Sequence, residues 1–121
     1  MNYEEYNKFC GSLEATSHVV QWGGSHVWKV AGKVFAIGGW EKNKNPAFTF
    51  KTSESDFHFL SEEPGYRPAP YFANRGMKWI QLCDLTLTDE EKLKHFIKKS
   101  YRIVSLGLTK KKQKELGLNQ N

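Results

Sequence analysis

Residues Ser17 to Ile37 read SHVVQWGGSHVWKVAGKVFAI, and this stretch decides the fold. Three runs of β-branched and aromatic residues, HVVQW, HVWKV and KVFAI, are separated by Gly23-Gly24 and by Ala31-Gly32. Runs of that composition, punctuated by glycine at short intervals, predict an antiparallel meander. Val30-Ala31-Gly32-Lys33 fits a tight hairpin turn, since glycine supplies the positive φ that such turns demand. In the third run Phe35 and Ile37 share a face with Lys33, while Val34 and Ala36 take the other. That alternation predicts partial cover on both sides of the strand.

Working outward, Tyr6, Phe9, Cys10 and Leu13 recur at helical spacing and predict a helix over 3–14. Downstream, the polar loop EKNKNP (41–46) leads into AFTFK, a fourth strand with Phe48 and Phe50 on one face. Ser53 and Asp56 are spaced as a capping box for a short helix that turns Phe57 and Leu60 inward, and Pro64-Gly65 stops it. Pro68 and Pro70 fix their own φ and bias their predecessors toward extended backbone, so Arg67 to Tyr71 reads as a stiff surface connection. Met77 to Cys83 is the fifth strand. Thr88 and Glu91 form a second capping box, opening a long helix over about 89–105. Gly107 ends that helix, and Thr109 caps a last short one. The expectation is a two-layer α+β domain over 1–118: a five-stranded antiparallel sheet with an N-terminal helix, a short middle helix and a long C-terminal helix. Residues 119–121 are expected to fray.

A chain of 121 residues with 39% hydrophobic content suits one core. No apolar run approaches the roughly 18 residues of a membrane span, and the acidic, aromatic start lacks the pattern of a signal peptide. A cytoplasmic protein is expected. Cys10 and Cys83 are isolated, with no CxxC and no histidine at ligand spacing, which predicts reduced thiols and no metal site.

Charge is distributed unevenly. Residues 1–91 carry nine Lys or Arg against twelve Asp or Glu, whereas residues 92–121 carry nine against one, so the net +5 resides in the last quarter. On the long helix, Leu93, Phe96, Ile97, Tyr101 and Val104 fall in one arc with Ser100 among them. Lys92, Lys94, Lys98, Lys99 and Arg102 fall opposite, with His95. Lys110, Lys111 and Lys112 extend the positive surface. Such a face is either an ordinary solvated surface or a seat for the phosphates of a polyanion. Lysine suits phosphate better than base edges, so sequence-specific readout is not expected.

A second candidate is YRPAPYFANRGMKWIQL (66–82), where Arg67, Arg75 and Lys78 are positioned to clamp an anion and Tyr71 or Trp79 to stack on a base. The competing structural reading has Asn74 satisfying loop amides, Trp79 filling the core, and Pro68 and Pro70 setting the connection. Catalytic signals are weak. The four histidines are scattered, and no glycine pair sits in a phosphate-loop context, so neither catalytic residues nor a cofactor are predicted. The expected partner of these cations is DNA, contacted mainly through phosphates; the alternative is a protein-interaction module, a homodimer or partner-binding domain, using the meander's aromatics Trp22, Trp28 and Trp40.

Together these segments resemble the MmcQ/YjbR family. The resemblance is carried by Trp28-Lys29-Val30 with Gly32-Lys33 and Phe35-Ala36, by Pro46 to Lys51, by Asn74 with Trp79, and by Ser100-Tyr101 with Val104. Two departures are visible: Ser12-Leu13-Glu14 replaces the family's Pro-Gly turn, and Gly76 lengthens the Asn-to-Trp spacing by one, which predicts a bulge. The resemblance implies a CyaY-like or secretion-chaperone-like α+β fold and a double-wing DNA-binding role. It implies no catalytic residues.

Overall fold

The computed structural model describes residues 1–39 and 46–120, with Asn74 described in its backbone only. Trp40, most of the 41–46 loop, Asn121 and the side-chain role expected of Asn74 therefore lie outside the described residues. Along the chain run α1 (Tyr3–Gly11), β1 (Thr16–Gln21), β2 (Ser25–Val30), β3 (Lys33–Gly38), β4 (Phe48–Lys51), α2 (Glu54–Ser61), β5 (Tyr66–Pro68), β6 (Trp79–Leu82), α3 (Glu90–Leu106) and α4 (Lys110–Leu116). The strands form one antiparallel sheet in the order β1-β2-β3-β4-β6-β5. The α+β class is as the sequence indicates. The sheet has six strands where five were expected.

The extra strand is β5, which falls in the segment read as a bare connection. Prolines count against a strand because they cannot donate to a ladder, but an edge strand tolerates them at its end. Tyr66 to Pro68 pairs with Leu82 to Ile80 on one side only, so Pro68 forfeits nothing. In the meander, Ala31 and Gly32 both take positive φ, as the predicted turn requires. Trp28 pairs with Ala36 and Lys29 with Val34, leaving Phe35 as a bulge residue. The bulge breaks the expected alternation, and Phe35 and Ala36 both join the buried cluster.

That cluster lies between the sheet and the helices: α1 packs on β1 and β2, α3 on β2, β3 and β4, and α2 on β5 and β6. Gly38 is where α1 comes closest, since a Cβ there would sit 2.7 Å from the ring of buried Tyr6. Helix α1 is shorter than predicted. It ends at Gly11, where a Cβ would sit 3.1 Å from Trp28, and Ser12 Oγ donates to Phe9 O at 2.6 Å.

Two details tie α3 to the sheet. Its N-cap is Asp89, not Thr88: the carboxylate accepts from Lys92 N at 2.6 Å, while Thr88 Oγ1 meets Tyr66 OH at 2.8 Å. Ser100, fully buried in the helix's apolar arc, donates to Phe35 O at 2.6 Å and accepts from Lys51 N at 2.9 Å. Those two groups come next in line after the Ala36–Phe50 pair. One hydroxyl thus bridges β3 and β4 where their ladder ends, satisfying two buried backbone groups.

At the C-terminus Thr109 caps α4 as predicted. The expectation of fraying meets a buried Leu118 and an Asn119 whose Nδ2 donates to Ser105 Oγ at 3.1 Å and to Gln113 Oε1 at 2.9 Å. Among the described residues no helix is long and apolar enough to cross a membrane.

Candidate nucleic-acid interface

An amphipathic helix laid on a sheet by Leu93, Ile97 and Ser100 must turn the opposite arc outward. The lysines of α3 nevertheless meet different fates. Lys92 reaches Glu63 at 3.8 Å and lies over the rings of Tyr66 and Phe59. Lys99 pairs with Asp56 of α2. Lys94 is 4.0 Å from Glu91 and lies over Phe9. Counting acids along the sequence after Glu91 overstated the unneutralised charge, because Asp56 and Glu63 come from α2 and its end.

Lys98 and Arg102, one turn apart and exposed, have no ion pair among the described residues. They line a groove of about 650 Å³ with His95 and Lys99 on one wall and Asn119 and Gln120 on the other. The second wall exists because α4 folds back. Buried Gln113 donates to the carbonyls of Leu106 and Leu108 at 3.3 and 2.8 Å and accepts from Asn119. Tyr101 also lines the groove and donates its hydroxyl to Glu14 O at 2.7 Å. Burial, and secondarily the charge of Glu14, raises its pKa, so it remains a proton donor. The groove thus combines cations with neutral amides and contains no carboxylate among its described lining residues.

Lys110, Lys111 and Lys112 are exposed on the first turn of α4, with Lys112 4.0 Å from Glu115. The three junction cations do not join this groove. Arg67 donates through Nε and Nη2 to Gln81 Oε1 at 2.9 and 2.6 Å, and Gln81 Nε2 donates to Thr49 Oγ1 at 3.3 Å. Gln81 and Thr49 are buried on the sheet face opposite the helices, so Arg67 is largely occupied in holding a buried polar chain. Lys78 lies over Phe57 of α2, and Arg75 lies 5.0 Å from the centroid of Tyr71.

Trp79 is 4% exposed and stacked on Phe72 at 4.7 Å, so it has no free face for a base. Tyr71 is 58% exposed, with the Arg75 guanidinium over its ring. Gly76 closes a 3₁₀ turn (Ala73–Arg75) in left-handed backbone, φ 78°, at the position where a bulge was expected. Pro68 and Pro70 flank Ala69, whose N–H donates to Trp79 O at 2.9 Å.

Sequence reasoning missed two features. Asn119 and Gln120 looked like a loose end, and only the return of α4 places them opposite α3. Trp22 lines a pocket with Pro70, Tyr71 and Phe72 although it lies in the β1–β2 turn, far away along the chain. Among the described residues, no group of three or more His, Cys, Asp or Glu is placed to hold a metal ion.

The family model YjbR matches residues 11–103. Solved structures share the fold, two of them as follows. A Deinococcus radiodurans protein carrying the DUF419 domain superposes with a TM-score of 0.84 at 20% identity, covering 99% of this chain and 91% of that one. A Pseudomonas syringae protein gives a TM-score of 0.68 at 15% identity, covering 85% of this chain and 98% of that one. A comparison with curated proteins finds no match.

Proposed function

This chain belongs to the YjbR family, and we propose that it binds DNA through phosphates at the groove between α3 and the returning C-terminal turn. The observation that carries the reading is the Lys98–Arg102 pair, two exposed cations without carboxylate partners among the described residues, beside His95 and Lys99. Cations in that state release condensed counterions from a polyanion when they replace them. Lys94 and Lys110 to Lys112 add positive field on either side. Arg67 contributes little, and Arg75 and Lys78 belong to a separate surface. The role is binding rather than catalysis. His18 and His26 contact one another on the sheet, His58 lies 3.9 Å from Glu54 on the surface of α2, and only His95 adjoins the groove.

The test is fluorescence anisotropy with a random-sequence duplex, titrated from low to physiological salt. Each neutralised phosphate contributes about −0.9 to the log–log salt slope, so Lys98→Gln with Arg102→Gln should flatten the slope by about 2 and weaken all sequences alike. No binding at low salt, or loss confined to particular sequences, would overturn the reading.

A second reading has one specific observation in its favour. The outer strand β1, TSHVVQ, carries no formal charge and no proline, and its Val20 is 54% exposed. Such an edge offers unpaired backbone groups to a second copy of the chain. A dimer by light scattering that Val20→Lys converts to monomer, together with absence of salt-sensitive DNA binding, would favour it.

A further inference from the structure

A pocket of about 520 Å³ has Trp22, Pro70, Tyr71 and Phe72 as its described walls. That volume suits a small-molecule or nucleobase site. Three of the four walls are aromatic, and Trp22 and Tyr71 are 47% and 58% exposed. Phe72 is backed by Trp79, so one wall rests on a two-ring stack that reaches the sheet.

Backbone conformation sets this pocket apart. Trp22 has φ 53° and Tyr71 φ 74°. Bulky side chains rarely adopt the left-handed region, which is strained for any residue with a Cβ. Phe72 N–H donates to Pro70 O at 2.9 Å across Tyr71, a γ-turn of the rare positive-φ kind. Glycine would occupy either position without strain, as Gly23 and Gly24 do immediately after Trp22. Both exposed rings are therefore held where the backbone disfavours them, and both line the same pocket.

The neighbouring charge narrows the ligand. Residues 66–82 contain Arg67, Arg75 and Lys78 and no acidic residue. Arg75 donates Nη1 to Tyr71 OH at 3.1 Å, which uses one of five guanidinium N–H donors and leaves a cation beside the pocket. Aromatic faces next to an arginine are what an unstacked base and its phosphate require. The loop is also braced in advance: Ala69 N–H donates to Trp79 O, Ala73 N–H to Ala69 O and Met77 N–H to Phe72 O, at 2.9 to 3.1 Å.

We propose that the Trp22–Tyr71–Phe72 pocket seats an unpaired base of a single-stranded polynucleotide, with Arg75 at the adjoining phosphate. The site shares no described lining residue with the α3 groove and takes a different form of nucleic acid. The inference thus goes beyond the duplex reading and does not depend on Lys98 or Arg102.

The experiment uses the full chain and a ten-nucleotide single strand of mixed sequence bearing one 2-aminopurine, free and in duplex. Base fluorescence reports stacking, and anisotropy reports affinity. The single strand is expected to bind with its fluorescence quenched. Trp22→Gly and Tyr71→Gly should each weaken that binding about tenfold and abolish the quench. Glycine accepts both left-handed positions, so both variants should fold, and duplex binding at the α3 groove should be unchanged. A wild type that does not bind the single strand, or binds it without quenching, overturns the proposal. So do glycine variants that lose Tm but keep affinity, and variants that keep affinity while converting a dimer to a monomer, which would assign the rings to a protein contact. Failure of the α3 reading is seen separately, as a duplex salt slope indifferent to Lys98→Gln with Arg102→Gln.

Discussion

Helix α3 and the 66–82 junction are both basic, yet they hold their cations in opposite ways. In the junction Arg67 is held by Gln81 and Lys78 lies over the Phe57 ring, while Arg75 gives one donor to the Tyr71 hydroxyl and keeps the others. Along α3, Lys99, Lys92 and Lys94 are drawn off to Asp56, Glu63 and Glu91, while Lys98 and Arg102 face solvent. Similar composition therefore supports different chemistry. A fixed cation orients rings and bridges buried amides, whereas an unpaired one stays available to a mobile anion.

The comparison breaks most easily beneath the junction. Gln81 is fully buried and holds Arg67 on one side and Thr49 on the other. Gln81→Ala leaves a cavity and orphans a guanidinium and a hydroxyl, so urea denaturation should show a loss of about 3 kcal/mol. Under α3 the corresponding structural residue is Ser100. Ser100→Ala strands Phe35 O and Lys51 N at the divergence of β3 and β4 and should cost about 2 kcal/mol. Neither substitution touches Lys98, so the DNA salt slope of the folded protein should be unchanged.

Two neighbouring lysines sharpen the contrast within one helix. Lys98→Gln should alter stability by no more than about 0.5 kcal/mol, as surface changes do. Lys99→Gln releases Asp56 and should cost about 0.5–1 kcal/mol, since the pair is partly exposed. Their order should reverse in DNA binding, with Lys98 dominating the slope, because Lys99 must leave Asp56 to meet a phosphate.

What was legible in the sequence was whatever local chemistry decides. The Ala31-Gly32 turn, the Ser53 and Thr109 caps and the two-sided character of α3 follow from residues within a few positions of one another. Strand β5 carries no alternation of its own and becomes a strand only through its pairing with β6, so the sequence shows it as a stiff connection. The cap of α3 was placed one residue early because Thr88 is claimed by Tyr66, a partner 22 residues away. The candidate sites failed to be legible for the same reason. Neither the Lys99–Asp56 pair nor the meeting of Trp22 with Tyr71 leaves a periodic trace. The second had one local sign, an aromatic residue directly before Gly23-Gly24 in a turn.

The smallest expected effect lies at the edge of the sheet, far in character from the basic groove. His18 on β1 stacks on Trp28 at 5.0 Å and brings its Nε2 to 3.2 Å from Nδ1 of His26. Burial against these rings, and then the charge of His26, lowers the pKa of His18 below its ordinary 6.5. A histidine depressed in the folded state takes up its proton first in the unfolded chain. Its contribution is therefore complete above 6.5 and is lost as pH falls from there through the lowered folded value. Thermal unfolding followed from about pH 7.5 to about pH 5 should show Tm falling more steeply in the wild type than in His18→Gln. Parallel curves would mean that the imidazole pair accepts the proton without penalty, and positive charge would then be no less tolerated at this edge than on α3.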